Sequence, residues 1–211
     1  MLEKFPPTLG KALRGIRSGT EDLVAADSEV TGSNAVIEVA SLAFEDNHPM
    51  PAKYTADGAG WSPPLQWHGI PSNAAAVVLL IEDADSPTPA PLVHAIAWNL
   101  PGEDGGLAEN ALRRSEQDQT APAAMGKNSY LQTTYLPPDP PPGHGPHRYV
   151  FQIFAVDAAL SFETPPGRHA LVHALRGRVL AKGFLIGTYE RNPEQPVEVS
   201  DVDAVIEATT S

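Results

Sequence analysis

Proline interrupts this chain so often that a bundle of long helices is excluded from the start. Of 211 residues, 22 are proline, and 17 more are glycine. Each proline fixes φ and removes a backbone donor, so helix interiors and central strands must fall between them. Short strands joined by stiff, irregular loops are what such a chain can build. Apolar residues make up 42% of it, enough for a real core.

The apolar segments between the prolines read as strands. Val36 to Ser41 alternates, Val77 to Ile81 is a continuous apolar run, and His94 to Leu100 is another, closed by Pro101-Gly102. Arg148 to Val156 is the strongest, since Tyr149, Val150, Phe151, Ile153, Phe154 and Val156 are all aromatic or β-branched. Leu171, Leu175 and Val179 form a stripe that predicts one long helix over 168–182, ended by Gly183, with a strand over Phe184–Tyr189. The expectation is a mostly β domain over 34–191, with long proline-rich loops at 43–72 and 130–147.

Both ends differ in character. Leu9, Ala12, Leu13 and Ile16 are spaced for one helical face, so residues 1–33 read as an appendage, a short amphipathic helix followed by a polar linker over 19–33. An apolar helical face of this kind suits a homodimer. Residues 192–211 carry Glu194, Glu198, Asp201, Asp203 and Glu207 without a basic residue, the pattern of a disordered acidic tail.

Charge and composition narrow the function. With 26 acidic and 14 basic residues the net charge is −12, which disfavours nucleic acid as a partner. There is no cysteine, which removes thiolate catalysis, disulfides and cysteine-ligated metals. The longest uninterrupted apolar run, Ala74 to Ile81, is far shorter than the roughly 20 residues that span a bilayer. No secretory signal pattern opens the chain, so a cytoplasmic protein without stable membrane insertion is expected.

Titratable side chains gather at three strand ends. Asp83 and Asp85 leave the Val77–Ile81 strand just before Pro87, His94 opens the next, and Gly143-His144-Gly145-Pro146 leads into His147-Arg148-Tyr149. His147 and Tyr149, two apart, share a strand face, while Arg148 points the other way. If these segments meet, two imidazoles and a phenol form a small anion site. Asp83 would orient a histidine there and hold it cationic.

These residues carry a resemblance. Ser62-Pro63-Pro64-Leu65-Gln66-Trp67-His68-Gly69-Ile70-Pro71, Glu82-Asp83-Ala84-Asp85-Ser86-Pro87, His94 and Gly143 to Tyr149 follow one another in the order of the phosphatidylethanolamine-binding protein family. Tyr54-Thr55-Ala56-Asp57-Gly58 and Gly187-Thr188-Tyr189-Glu190-Arg191 make the chain similar to its bacterial Raf-kinase-inhibitor-like branch. The resemblance covers about 40–191. It implies an antiparallel β-sandwich with a few flanking helices and a pocket for phosphate, phosphoethanolamine-like head groups or other small anions. By resemblance, Asp83, His94, His147, Tyr149 and Tyr189 bind the ligand, while Asp85, Pro87 and Trp67 shape the pocket. Arg148 is expected to be an internal ion-pair partner.

One stretch departs from the branch, which usually reads Tyr-Gly-Gly-Pro-Cys-Pro-Pro. Here it reads Tyr135-Leu136-Pro137-Pro138-Asp139-Pro140-Pro141, so Asp139 places a negative charge near the pocket mouth. The expected function is small-ligand binding with a regulatory role, needing no cofactor and no metal. The alternative is an enzyme using Asp83, a histidine and Tyr149 for general acid–base chemistry; no credible nucleophile accompanies them.

Overall fold

The computed structural model describes residues 6–30, 35–113 and 124–191. The acidic tail expected over 192–211 lies outside them. The elements in chain order are α1 (Pro7–Leu13), β1 (Glu38–Ala40), β2 (His48–Pro49), β3 (Leu65–His68), β4 (Ala76–Asp83), β5 (Leu92–Pro101), β6 (Gly105–Leu107), β7 (Ala124–Met125), β8 (His147–Val156), α2 (Arg168–Leu175) and β9 (Val179–Tyr189). Six strands form one sheet in the order β2-β9-β8-β4-β5-β7, and three form a second in the order β1-β3-β6. Every pairing between these strands is antiparallel except β2 with β9.

Two apolar layers hold the sheets. Residues of one parity in β4 and β8, Val77, Leu79 and Ile81 with Tyr149, Phe151 and Ile153, pack against Leu65 and Trp67 of the small sheet. The opposite parity, Val78 and Leu80 with Phe154 and Val156, packs against Leu171 and Leu175 of α2. Both faces of the central strands are therefore buried, which explains why β4 reads as an unbroken apolar run.

The helix near the C-terminus is shorter than the sequence suggests. It stops at Leu175, and Gly177 turns the chain at φ 68°. Val179 continues the apolar stripe as the first residue of β9 rather than as a further helical turn. Gly183 does not cap a helix; a Cβ there would stand 2.0 Å from the Ile37 carbonyl oxygen. Its role is to let a neighbouring backbone approach the strand closely.

The N-terminal segment is part of the fold. Residues 19–30, read above as linker, contribute Val24 and Val30 to the helix-side core, and Leu23 packs with Ala84 and Val150. The apolar stripe expected on α1 does not face the domain, since Leu9 and Ile16 are exposed. The buried face holds Gly10 instead. Among the described residues, no helix is long and apolar enough to cross a membrane.

Candidate functional site

Strand pairing assembles the site. Asp83, the last residue of β4, stands directly opposite Tyr149 of β8, and His147 lies two residues before Tyr149 on the same face. In β5 the pairing jumps from Ile81–Ala95 to Glu82–Val93, which leaves His94 as the extra residue of a bulge. Bulges re-aim side chains, and this one turns His94 towards Tyr149, with the rings edge to face 5.0 Å apart. Asp83, His94, His147 and Tyr149 thus come together, each almost wholly buried.

His147 is fully engaged. Its Nδ1 lies 2.7 Å from Asp83 Oδ2, and its Nε2 lies 2.7 Å from Nδ1 of His144. His144 was not singled out as a site residue from the sequence. The signal was present in the two glycines around it: Gly143 and Gly145, at φ 80° and 99°, turn the loop so that His144 folds back on His147.

His94 Nδ1 is 2.6 Å from the Leu136 carbonyl oxygen. A carbonyl only accepts, so Nδ1 carries the proton. Burial holds the pKa of His94 down against the pull of Asp83. The ring is therefore neutral, and Nε2 presents a lone pair. Tyr149 is the counterpart, because burial and the nearby Asp83 push its pKa well up, keeping the hydroxyl protonated. His94 Nε2 and the Tyr149 hydroxyl are buried, and neither has a hydrogen-bond partner among the described residues. The sequence suggested two cationic imidazoles as anion donors. The structure places a neutral acceptor at His94 and an occupied ring at His147, because desolvation outweighs the carboxylate at the first and neighbours saturate the second.

Charged groups ring the site in compensated pairs. Asp85 accepts from the Arg148 backbone N–H and from its guanidinium at 2.8 Å, and Arg17 lies 2.9 Å away. Arg148 is thus the ion-pair partner the sequence implied. On the other side, Arg191 donates to both oxygens of Asp57 at 2.6 and 2.8 Å and to Asp139 at 2.6 Å. Asp139 therefore brings its own counter-charge. The Tyr189 hydroxyl donates to Asp57 at 2.7 Å, so it belongs to this rim cluster. Pro87 is half-buried in the loop after β4. Trp67 lies in the core between the sheets, its indole N–H donating to the Glu103 carbonyl. A separate groove of about 390 Å³, lined by residues such as Leu42, Gln66, His68 and Leu107, shares no residue with the site.

Burial alone would raise the pKa of Asp85, but its hydrogen bonds to Arg148 and Arg17 outweigh that and pull it down to about 2 from 3.8. A depressed carboxyl stabilises the fold above its unfolded pKa, and that contribution is lost as pH falls through the folded value. The window is therefore pH 4 down to 2. At 1.36 kcal/mol per pKa unit the effect is about 2 kcal/mol. Urea melts at pH 5 and pH 2 should show wild-type protein losing about 2 kcal/mol more than Asp85→Asn. Equal losses would remove Asp85 from the acid response.

Comparison with known proteins gives a consistent result. The sequence model of the family described as phosphatidylethanolamine-binding protein matches residues 40–190. A UPF0098 protein of Pyrococcus horikoshii is 35% identical over 151 residues, covering 72% of this chain and 75% of that protein. A UPF0098 protein of Chlamydia trachomatis is 34% identical over 160 residues, covering 74% of this chain and 100% of the relative. Among solved structures, a phosphatidylethanolamine-binding protein homolog from Chlamydia trachomatis superposes with a TM-score of 0.66 at 33% identity, covering 75% of this chain and 100% of its own. The Escherichia coli protein YbcL shares the fold, with a TM-score of 0.68 at 22% identity over 74% of this chain and 99% of its own.

Proposed function

This chain belongs to the phosphatidylethanolamine-binding protein family, and on that premise we propose that it binds a small polar head group between His94 and Tyr149, with Asp83 and His147 forming the floor. The observation that carries the reading is that, of four buried side-chain polar atoms without partners among the described residues, two, His94 Nε2 and the Tyr149 hydroxyl, sit on rings in edge-to-face contact. Buried polar groups are nearly always satisfied, and clustered exceptions mark sites that await a ligand. One atom accepts and the other donates. The complementary group offers one donor and one acceptor, as a singly protonated phosphate does with its P–OH and P–O. Phosphate and phosphoethanolamine-like head groups fit in that form, and occupancy of the pocket would serve a regulatory role.

The donor–acceptor argument fixes a pH dependence. The second ionisation of a phosphomonoester has a pKa near 6. Above it the P–OH that His94 Nε2 would accept from is gone. Calorimetric titration with phosphoethanolamine should show affinity falling about tenfold or more between pH 6 and pH 8. Constant affinity across that range, or none at either pH, would overturn the assignment.

A second reading rests on the same neutral His94. An imidazole with a free Nε2 is a general base, and Tyr149 is a proton donor beside it. In that case water would attack the phosphorus of a bound phosphomonoester and pass its proton to His94 Nε2, the P–O bond to the alcohol would break as the Tyr149 hydroxyl protonates the leaving oxygen, and the proton on His94 would then return to the Tyr149 oxygen. Release of inorganic phosphate from phosphoethanolamine would establish this reading. Saturable binding without release supports the first.

A further inference from the structure

The N-terminal segment is fastened to the loop beside the site by close backbone packing and by hydrogen bonds. Gly10 of α1 packs so closely on the His144 loop that a Cβ would stand 2.1 Å from the Pro142 carbonyl oxygen and 3.2 Å from the His144 nitrogen. Opposite it, a Cβ on Gly143 would stand 3.0 Å from the Pro7 carbonyl oxygen. Arg17 donates to the Pro146 and His144 carbonyls and pairs with Asp85. Ser18 Oγ and the Gly19 N–H donate to the Ala84 carbonyl. At the centre, His144 Nε2 reaches the Leu13 carbonyl oxygen at 2.8 Å, with that of Ile16 at 3.3 Å.

The hydrogen bonds of this arrangement fix its protons. Asp83–His147, His147–His144 and His144–Leu13 are three short contacts in a row. Each needs one proton, and the carbonyl supplies none. A carboxylate with two neutral imidazoles carries only two N–H protons, so the chain as built holds one more. The Leu13 carbonyl demands the Nε2–H form of His144. That leaves Nδ1 of His144 as an acceptor and calls for a proton on both nitrogens of His147. Without the carbonyl, His144 can take the Nδ1–H form and donate to His147, and two protons suffice.

We propose that residues 7–18 are a proton-linked strap: docking of the Leu13 carbonyl on His144 makes the Asp83–His147–His144 chain take up one proton, and loss of that proton loosens the strap over the pocket. This deepens the reading of the same site by naming what governs its cover. His144 is a positioning residue here, acting on the pocket through His147. Burial and the adjacent His147 both lower the basicity of His144, which disfavours a second proton on its ring. The charged and titratable groups facing the chain are Lys11, Arg14 and Arg17 from the strap, Asp83 and Asp85 from the β4 end, His94 from β5, and Arg148 and Tyr149 from β8. Linkage is reciprocal, so whatever factor docking adds to proton affinity, deprotonation removes from docking.

Gly10→Val tests this without touching any side chain of the pocket, because the new Cβ has no room while the strap is docked. Histidine ring nitrogen resonances in the full-length protein are the readout, with no ligand present. Wild-type protein should show His147 protonated on both nitrogens and His144 as the Nε2–H form at pH 6. In Gly10→Val the titration midpoint of the pair should fall so that proton affinity drops about tenfold, with His144 redistributed towards the Nδ1–H form. An unchanged midpoint and unchanged forms in a folded variant would overturn the proposal. Should the variant not fold, wild-type protein decides alone: hydrogen-exchange protection of the amides of residues 16–19, corrected for intrinsic rates, should fall between pH 6 and pH 8. Constant protection would also overturn it. Phosphoethanolamine titration of the same samples is a separate readout, so failure of the ligand reading and failure of the strap are told apart.

Discussion

Replacing Tyr149 by phenylalanine should stabilise the ligand-free protein by about 1 kcal/mol and weaken phosphoethanolamine binding about tenfold or more. The two effects have one cause. The hydroxyl is buried and has no partner among the described residues, and a buried hydroxyl without a hydrogen bond costs about 1–3 kcal/mol. The phenyl ring keeps the packing of Tyr149 against His94 while removing that penalty. A hydrogen bond to a charged acceptor contributes about 1.5–3 kcal/mol, which corresponds to a loss of tenfold or more in affinity. Opposite signs for stability and binding are the mark of a group retained for a ligand. Urea melts and calorimetry on the same preparation measure both. A variant that is less stable, or that binds as wild type does, would make Tyr149 a packing residue.

The second large effect lies at the rim. Arg191→Met should destabilise the protein by about 3 kcal/mol, because it leaves the carboxylates of Asp57 and Asp139 without the guanidinium between them. The arginine is only 10% exposed, with Asp57 and Asp139 at 13% and 16%, so water compensates little. Burial opposes the charge on Arg191, yet its bonds to the two carboxylates raise its pKa. Asp139→Asn added to Arg191→Met should recover part of the loss, whereas Asp139→Asn alone should not stabilise. A double-mutant cycle by urea denaturation measures the coupling. A loss below about 1 kcal/mol for Arg191→Met would show the cluster to be solvated.

These residues show what the sequence made legible. β8 could be read almost to the residue because aromatic and β-branched side chains fill both of its faces. The contributors from distant segments, Asp83, His94, His147 and Tyr149, could be named through motif order, since each sits at or near a strand end. α2 was overextended because a stripe at helical spacing ran on into β9, where burial on a strand face produces the same apolar residue at 179. The environment of each titratable group was not legible. Whether His94 is cationic depends on desolvation set by a bulge, and no local pattern announces a bulge between two apolar strands. Asp139 looked like an added negative charge until Arg191, fifty-two positions away, was found bonded to it. The docking of residues 7–18 was hidden because it uses Gly10 and backbone carbonyls rather than an apolar stripe.

The account depends on His94 and Tyr149 meeting a ligand together. The most direct measurement is a histidine ring nitrogen spectrum of the full-length protein at pH 6, recorded as phosphoethanolamine is added. The account predicts that His94 Nε2 moves saturably as it accepts a hydrogen bond, while exposed His68 beside the separate groove stays still. Movement at His68 with His94 unchanged, or no movement at either, would contradict it.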